Sequence, residues 1–294
     1  MRVLALFGPT AVGKTGVAIA TAELLRRRGE HPVAVSCDAL QVYRGLEILT
    51  GAATQVERDA LEHRLLGVVD VAEEFSAGRF ARLAHAEIDS LLSEGCRPMV
   101  VGGTGLYLCA ALADLDLRPP VPAELREAVE RELGERGLEA LHADLDPALA
   151  ATVHPNDRKR IARLTELERA GLDPPRDSEA LWTARLRHPT LLVGLVVDSG
   201  ELARRIDARA ETMLAAGAAA EARRAMTAGA SRTARAALGF EDILTGDVEA
   251  MKAAHRAYAR RQVTWMRRMQ EVILIDRTGR SDADVAAEIV ALLD

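Results

Sequence analysis

The chain opens on Val3-Leu4-Ala5-Leu6-Phe7, an unbroken apolar run that ends at Gly8. A strand exposed on one face alternates apolar and polar residues. A continuous short run predicts a strand buried on both faces. A helix is predicted next, from Thr15 to Arg28, stopped by Gly29; Val33 to Ser36 reads as a second strand. Between Arg79 and Ser93, the residues Phe80, Leu83, Ala84, Ile88, Leu91 and Leu92 recur at helical spacing. Pro98 to Val101 is a third strand, closed by Gly102-Gly103. Strands alternating with helices predict the α/β class, a parallel sheet covered by helices.

The pattern changes after Pro119, Pro120 and Pro122. From Glu124 to about Ala184 the chain is charged and helical in character, with no convincing strand. The expected organisation is a core of residues 1–117 and 190–294, with an all-helical insertion at 118–189. Strand character returns from Leu191 to Val197. Two helices are expected at about 201–228 and 248–271, then a strand from Val272 to Ile275 and a terminal helix. No internal repeat is visible.

Composition narrows the picture a little. The 294 residues suit one or two domains and carry a net charge of −6, so any nucleic-acid contact must come from local basic patches. Cys37, Cys96 and Cys109 are scattered, which implies neither a zinc site nor a disulfide framework. Residues 1–7 are too short for a secretory signal, and no apolar run approaches the roughly 20 residues of a membrane helix. A soluble, cytoplasmic protein is expected.

The most specific chemical signal follows the first strand. Gly8-Pro9-Thr10-Ala11-Val12-Gly13-Lys14-Thr15 fits GxxxxGK[ST] and lies between a strand and a helix, where a phosphate-binding loop must lie. Backbone N–H groups and the helix N-terminus attract phosphate oxygens. Lys14 supplies a full charge, and the Thr15 hydroxyl suits Mg²⁺. Kinases, ATPases and GTPases all use such a loop, so it names a ligand class and not a reaction. Asp38 stands just beyond the second strand, on the side where ligands of open α/β sheets bind. There it can hold Mg²⁺ through water or take a proton from a nucleophile. The third strand ends at Gly102-Gly103-Thr104-Gly105-Leu106-Tyr107, where Thr104 can present a hydroxyl. Asp198 follows a late apolar strand and reads as a helix cap more readily than as a metal ligand.

Along nearly its whole length the chain resembles the tRNA dimethylallyltransferases, also called isopentenylpyrophosphate transferases. The resemblance rests on GPTAVGKT at 8–15, then Asp38 with Gln41, Tyr43, Arg44 and Gly45, then FSAGRF at 75–80 and GGTGLY at 102–107. HPND at 154–157 follows, with Arg205-Ile206, Arg209 and Met213, Leu238-Gly239-Phe240, and ArgArgGln-x-ThrTrp at 260–265. It implies a P-loop NTPase-like sheet with an inserted helical subdomain. It implies transfer of a dimethylallyl group from dimethylallyl diphosphate to N6 of adenosine 37 in tRNA, with Mg²⁺ as cofactor. By resemblance Asp38, Thr104 and Arg209 are catalytic, and residues 8–15 bind the diphosphate or a nucleotide. The resemblance also implies that Asp38, Ala39, Leu40, Gln41, Thr104, Arg126, Lys159, Arg160 and Arg163 contact the anticodon stem-loop of tRNA, and a monomer is expected. A second basic cluster, Arg256, Arg260, Arg261, Arg267 and Arg268, also suits RNA phosphates.

The chain departs from the family pattern in places. Val12 replaces the loop serine, and Ala39 replaces the serine after the aspartate. The GTAKP segment reads Leu49-Thr50-Gly51-Ala52-Ala53, without its lysine, and RALEV reads Arg163-Leu164-Thr165-Glu166-Leu167. Competing readings are prenylation of a free adenine nucleotide, a small-molecule kinase, and a non-catalytic nucleotide-binding switch. The absence of a DDxxD motif leaves the phosphate loop as the visible diphosphate cradle.

Overall fold

The computed structural model describes residues 1–174, 185–269 and 271–294. Contacts among Cα atoms divide the chain into two compact units, Met1–Asp114 with Trp182–Asp294, and Leu115–Leu181. The second unit starts three residues and ends eight residues before the expected 118–189 insertion.

In chain order the first unit begins with β1 (Val3–Phe7), α1 (Lys14–Arg27), β2 (Pro32–Cys37), α2 (Glu47–Thr50), α3 (Gln55–Ala60) and β3 (His63–Arg64). It continues with α4 (Ala77–Ser93), β4 (Arg97–Gly102) and α5 (Gly105–Leu112). The second unit holds α6 (Ala123–Arg136), α7 (Leu138–Asp144), α8 (Pro147–Ala150) and α9 (Arg158–Arg169). The first unit then resumes with β5 (Thr190–Val196), α10 (Ser199–Ala215), α11 (Ala218–Thr227), α12 (Arg232–Arg235) and α13 (Phe240–Thr245). It ends with α14 (Val248–Met266), β6 (Ile273–Asp276) and α15 (Asp282–Ala291).

The described strands form one sheet in the order β3-β2-β4-β1-β5-β6, and every pairing is parallel. β1 lies inside the sheet and is buried along its whole length, which accounts for its lack of alternation. Leu4 and Leu6 pack with Val17, Leu25, Val285 and Ile289, so α1 and α15 supply one covering layer. Around α4 and α5, the rings of Phe80 and Tyr107 sit 4.6 Å apart.

Register places the site. Phe7 pairs with Gly102, and Cys37 also pairs with Gly102. The residues that follow, Gly8, Asp38 and Gly103, therefore leave the sheet side by side. The second unit has its own core of Val129, Leu133, Leu141, Leu145, Val153 and Ile161.

Two expectations need correction. The helix expected at 201–228 is two helices, because Gly217 adopts a left-handed φ of 97° between them. The helix expected to run to 271 ends at Met266. The last ten residues of the helical stretch expected up to Ala184 lie outside the described residues.

Candidate active site

Asp38, Lys14, Thr15, Arg209 and Tyr258 line a single cavity of about 240 Å³. Thr10, Ala11 and Gly13 contribute further loop positions, while Leu40 and Gln41 follow Asp38 along the wall. The polar lining thus combines a helix N-terminus, the cations Lys14 and Arg209, and the carboxylates of Asp38 and Glu57. Leu49, Met213 and Leu238 add apolar surface.

Each loop residue has its own part. The ammonium of Lys14 donates to the carbonyls of Gly8 and Pro9, at 3.0 Å each. Burial, reinforced by the Arg209 guanidinium, lowers its pKa to about 8, while Asp38 opposes the shift. Val12 is fully buried in the hydrophobic core. It therefore offers the cavity no side chain, and replacing a serine there leaves only backbone groups for an anion.

The Asp38 carboxylate accepts the Leu40 N–H at 2.9 Å, a local turn that fixes its direction. Burial pushes its pKa above the ordinary carboxylate range, and the Leu40 N–H and the charge of Lys14 partly counter this. A carboxylate moved in that direction is better matched to taking a proton near neutral pH. Thr104 caps the start of α5 in sequence, yet its hydroxyl faces two other hydroxyl or carboxylate groups. It lies 3.5 Å from Asp38 Oδ2 and 3.1 Å from the Tyr258 hydroxyl. Burial raises the Tyr258 pKa, so its hydroxyl stays protonated and can donate.

Arg209 reaches inward from α10. Its Nη2 donates to the Gly51 carbonyl at 3.0 Å, while its buried Nε has no hydrogen-bond partner among the described residues. Gly51 has φ of 57°, and a Cβ there would lie 1.8 Å from Arg209 Nη2. The segment that lacks the family lysine is thus the one against which this arginine rests. The backbone of that segment is held from behind by Glu221, whose carboxylate accepts the N–H groups of Ile48 and Leu49 at 3.0 and 2.7 Å.

Sequence reasoning did not assign Gln262, Tyr258 or His255 a role. Gln262 ties two loops together: its Oε1 accepts the Thr10 N–H at 2.8 Å, and its Nε2 donates to the Gly103 carbonyl at 2.7 Å. Tyr258, His255 and Gln262 recur at three- and four-residue steps on α14, so one helix face delivers all three. That spacing was the available signal.

The sequence matches the IPP transferase family model over residues 41–269.

This chain belongs to the IPP transferase family.

A relative named tRNA dimethylallyltransferase from Anaeromyxobacter dehalogenans is 40% identical over 288 residues, covering 94% of this chain and 95% of the relative. The crystal structure of the full-length tRNA isopentenylpyrophosphate transferase from Bacillus halodurans is similar, with TM-score 0.72 and 30% identity. That match covers 99% of this chain and 95% of the other. A eukaryotic dimethylallyltransferase described as acting on tRNA matches with TM-score 0.74 and 25% identity, over 99% of this chain and 77% of its own.

Other family motifs have structural parts to play. In FSAGRF, Ser76 caps α4 by accepting the Arg79 N–H at 3.2 Å. In HPND, Asp157 caps α9 by accepting the Arg160 N–H at 3.1 Å. Asp198 caps α10, accepting the N–H groups of Gly200 and Glu201 at 2.9 and 3.0 Å. The basic residues on the second unit divide into two kinds. Lys159 and Arg160 are exposed. Arg163 is half-buried, pairs with Glu166 at 3.0 Å and donates to the carbonyls of Arg118 and Pro119. Arg126 approaches the same Glu166 at 3.9 Å. In the second cluster, Arg256 pairs with Asp207 at 2.5 Å, and Arg261 lies over the Tyr258 ring at 5.5 Å. No described helix is long and apolar enough to cross a membrane.

Proposed function

We propose that this chain transfers a dimethylallyl group from dimethylallyl diphosphate to N6 of adenosine 37 in tRNA and releases pyrophosphate. The observation that carries this reading is the sharing of one cavity by a phosphate loop, two desolvated cations and the carboxylate of Asp38. The names of the relatives support tRNA as the acceptor and a C5 prenyl group as what is transferred.

In this reading the cavity groups divide the steps among them. The loop N–H groups, Lys14 and Arg209 face the diphosphate and stabilise the negative charge that grows as the allylic C–O bond breaks. The N6 amine attacks the allylic carbon, and its proton passes to Asp38. Thr104, supported by Tyr258, holds the acceptor base beside that carboxylate. An adenine stacked in a stem-loop must first be extruded to reach such a cavity. Lys159 and Arg160 contact RNA phosphates from the helical unit. Catalysis takes place in the cytoplasm, on a single chain.

Mg²⁺ suits the donors present. Among the described residues no cluster of three His, Cys, Asp or Glu could hold a metal alone, whereas Thr15, which carries a hydroxyl, lines the cavity. That fits an ion that would take few of its ligands from protein side chains. When bound, it adds positive charge to the leaving group. Thr15 is the residue that would hold it.

Acceptor competition tests the reading. With dimethylallyl diphosphate and Mg²⁺, pyrophosphate release is expected with tRNA and not with AMP. Release with AMP alone would replace tRNA by a free nucleotide. ATP consumption with a phosphorylated product would replace prenyl transfer by a kinase reaction.

A further inference from the structure

The phosphate loop is held from its outer side by two arginines whose part in the site has not been accounted for. Arg277 follows β6 and is 7% exposed. Its Nη1 donates to the Gly13 carbonyl at 3.1 Å, and its Nη2 pairs with Asp282 at 3.0 Å. Arg205, on α10, donates from Nη1 to the Val12 carbonyl at 3.3 Å and pairs with Glu201 one turn earlier. Consecutive loop carbonyls thus receive one guanidinium each, and the Gly13 carbonyl also accepts the Val17 N–H at 3.2 Å, the first intrahelical bond of α1.

The peptide plane makes this functional. All peptides here are trans, so the carbonyl and the N–H of each plane point in opposite directions. The Val12 carbonyl shares its plane with the Gly13 N–H, and the Gly13 carbonyl shares its plane with the Lys14 N–H. Arg205 fixes the Val12 carbonyl, while Arg277 and the Val17 N–H together fix the Gly13 carbonyl, and the opposed N–H groups belong to Gly13 and Lys14, both of which line the cavity. These donors belong to the start of α1, where N–H groups lack intrahelical partners and are available to an anion. Each cationic hydrogen bond also polarises its peptide, which strengthens the opposed N–H as a donor. Gly13 suits this arrangement on two grounds: its φ is 93°, and a Cβ would lie 2.0 Å from Arg277 Nη1.

We propose that Arg205 and Arg277 are positioning residues that clasp the outer carbonyls of the phosphate loop and hold the Gly13 and Lys14 N–H groups toward a bound diphosphate. The pair touches no substrate. Its ligand class rests on the proposed function only in taking the anion as a diphosphate, and inorganic pyrophosphate serves as the probe.

The test uses full-length Arg277→Met, Arg277→Lys and Arg205→Gln. Pyrophosphate affinity is measured by calorimetry, the Gly13 and Lys14 amide resonances by ¹⁵N NMR, and folding by denaturant titration. Loss of either arginine is expected to weaken pyrophosphate binding on the order of 10-fold, as removal of a strong charge-assisted contact does. The pyrophosphate-induced shifts of the two amides are expected to shrink. Arg277→Lys is expected to recover part of the affinity, because an ammonium can still reach the Gly13 carbonyl. Should Arg277→Met unfold, Arg205→Gln decides alone, since Arg205 is partly exposed and its pair with Glu201 lies within one helix. Folded variants with wild-type affinity and wild-type amide shifts overturn the clasp. Wild-type protein that binds pyrophosphate but never prenylates tRNA overturns the proposed function and leaves the clasp standing.

Discussion

The cavity of the α/β unit and the surface of the helical unit use positive charge in opposite ways. In the cavity, Lys14 and Arg209 are desolvated; Lys14 is anchored to two backbone carbonyls and Arg209 to one. On the helical unit, Lys159 and Arg160 stand in solvent at the start of α9. A charge taken out of water acts strongly over a short range, whereas one in water is weakened by salt within about 10 Å. The first arrangement suits a small anion whose charge must be met at defined atoms. The second suits a polyanion whose phosphates are met in number, with affinity that depends on salt. Arg163 shows that sequence proximity does not decide which kind a residue is. It shares a helix with Lys159, yet it is committed to Glu166 and to two backbone carbonyls.

The sharpest separation of the two regions comes from Asp38→Asn. Turnover is expected to fall by about 10²–10⁴, the range of a positioned general base, with donor and tRNA affinities changed only a few-fold. Single-turnover rates and equilibrium binding measure the two separately. Because burial raises the Asp38 pKa, the acid limb of kcat/KM should lie above the ordinary carboxylate range and vanish in the variant.

Lys14 gives a pH signature of the cavity. Its free-enzyme pKa is lowered to about 8, so the ammonium is charged below that pH and is lost above it. Diphosphate favours the charged form, so affinity should decline as pH rises past about 8, with proton uptake on binding. Lys14→Arg stays charged, and the difference between the two pH curves isolates this group.

On the helical unit the effects should be smaller and salt-dependent. Lys159→Ala with Arg160→Ala should raise the KM for tRNA several-fold and leave kcat alone. The double variant should also flatten the salt dependence of binding, by roughly 0.7 per lost single-strand phosphate contact. Arg163→Ala should do the reverse, costing about 1–2 kcal/mol of stability through its lost hydrogen bonds while changing the salt slope little. The smallest effect is expected for Asp198→Ala, a loss of about 1 kcal/mol from an uncapped α10 with normal metal dependence. An altered Mg²⁺ requirement would reopen Asp198 as a ligand.

The parts of the fold legible in the sequence are those whose cause is local. β1 and β4 carry apolar runs that end in glycine, and the phosphate loop is a contiguous motif. Asp38 was legible because a parallel sheet puts its ligands at strand ends. The break at Gly217 was hidden by the alanines on both sides, which favour helix on either reading. β3 is two residues long and has no pattern to detect. The loop ties made by Gln262 and Arg277 join residues 252 and 264 positions apart, so no local window holds both partners. The sequence does carry Val12 as a departure. Its meaning comes from packing: the side chain belongs to the core, and the loop's anion donors there are backbone groups.

The most direct test of the central claim is a position-mapped nuclease digest of tRNA. The tRNA is first incubated with the protein, Mg²⁺ and dimethylallyl diphosphate, and the fragments are read by mass spectrometry. The expected result is one C5H8 addition on the adenine of adenosine 37, absent when that adenosine is replaced by guanosine and nearly absent with Asp38→Asn. An unmodified tRNA pool, or an addition that persists unchanged in the Asp38→Asn protein, would contradict the account.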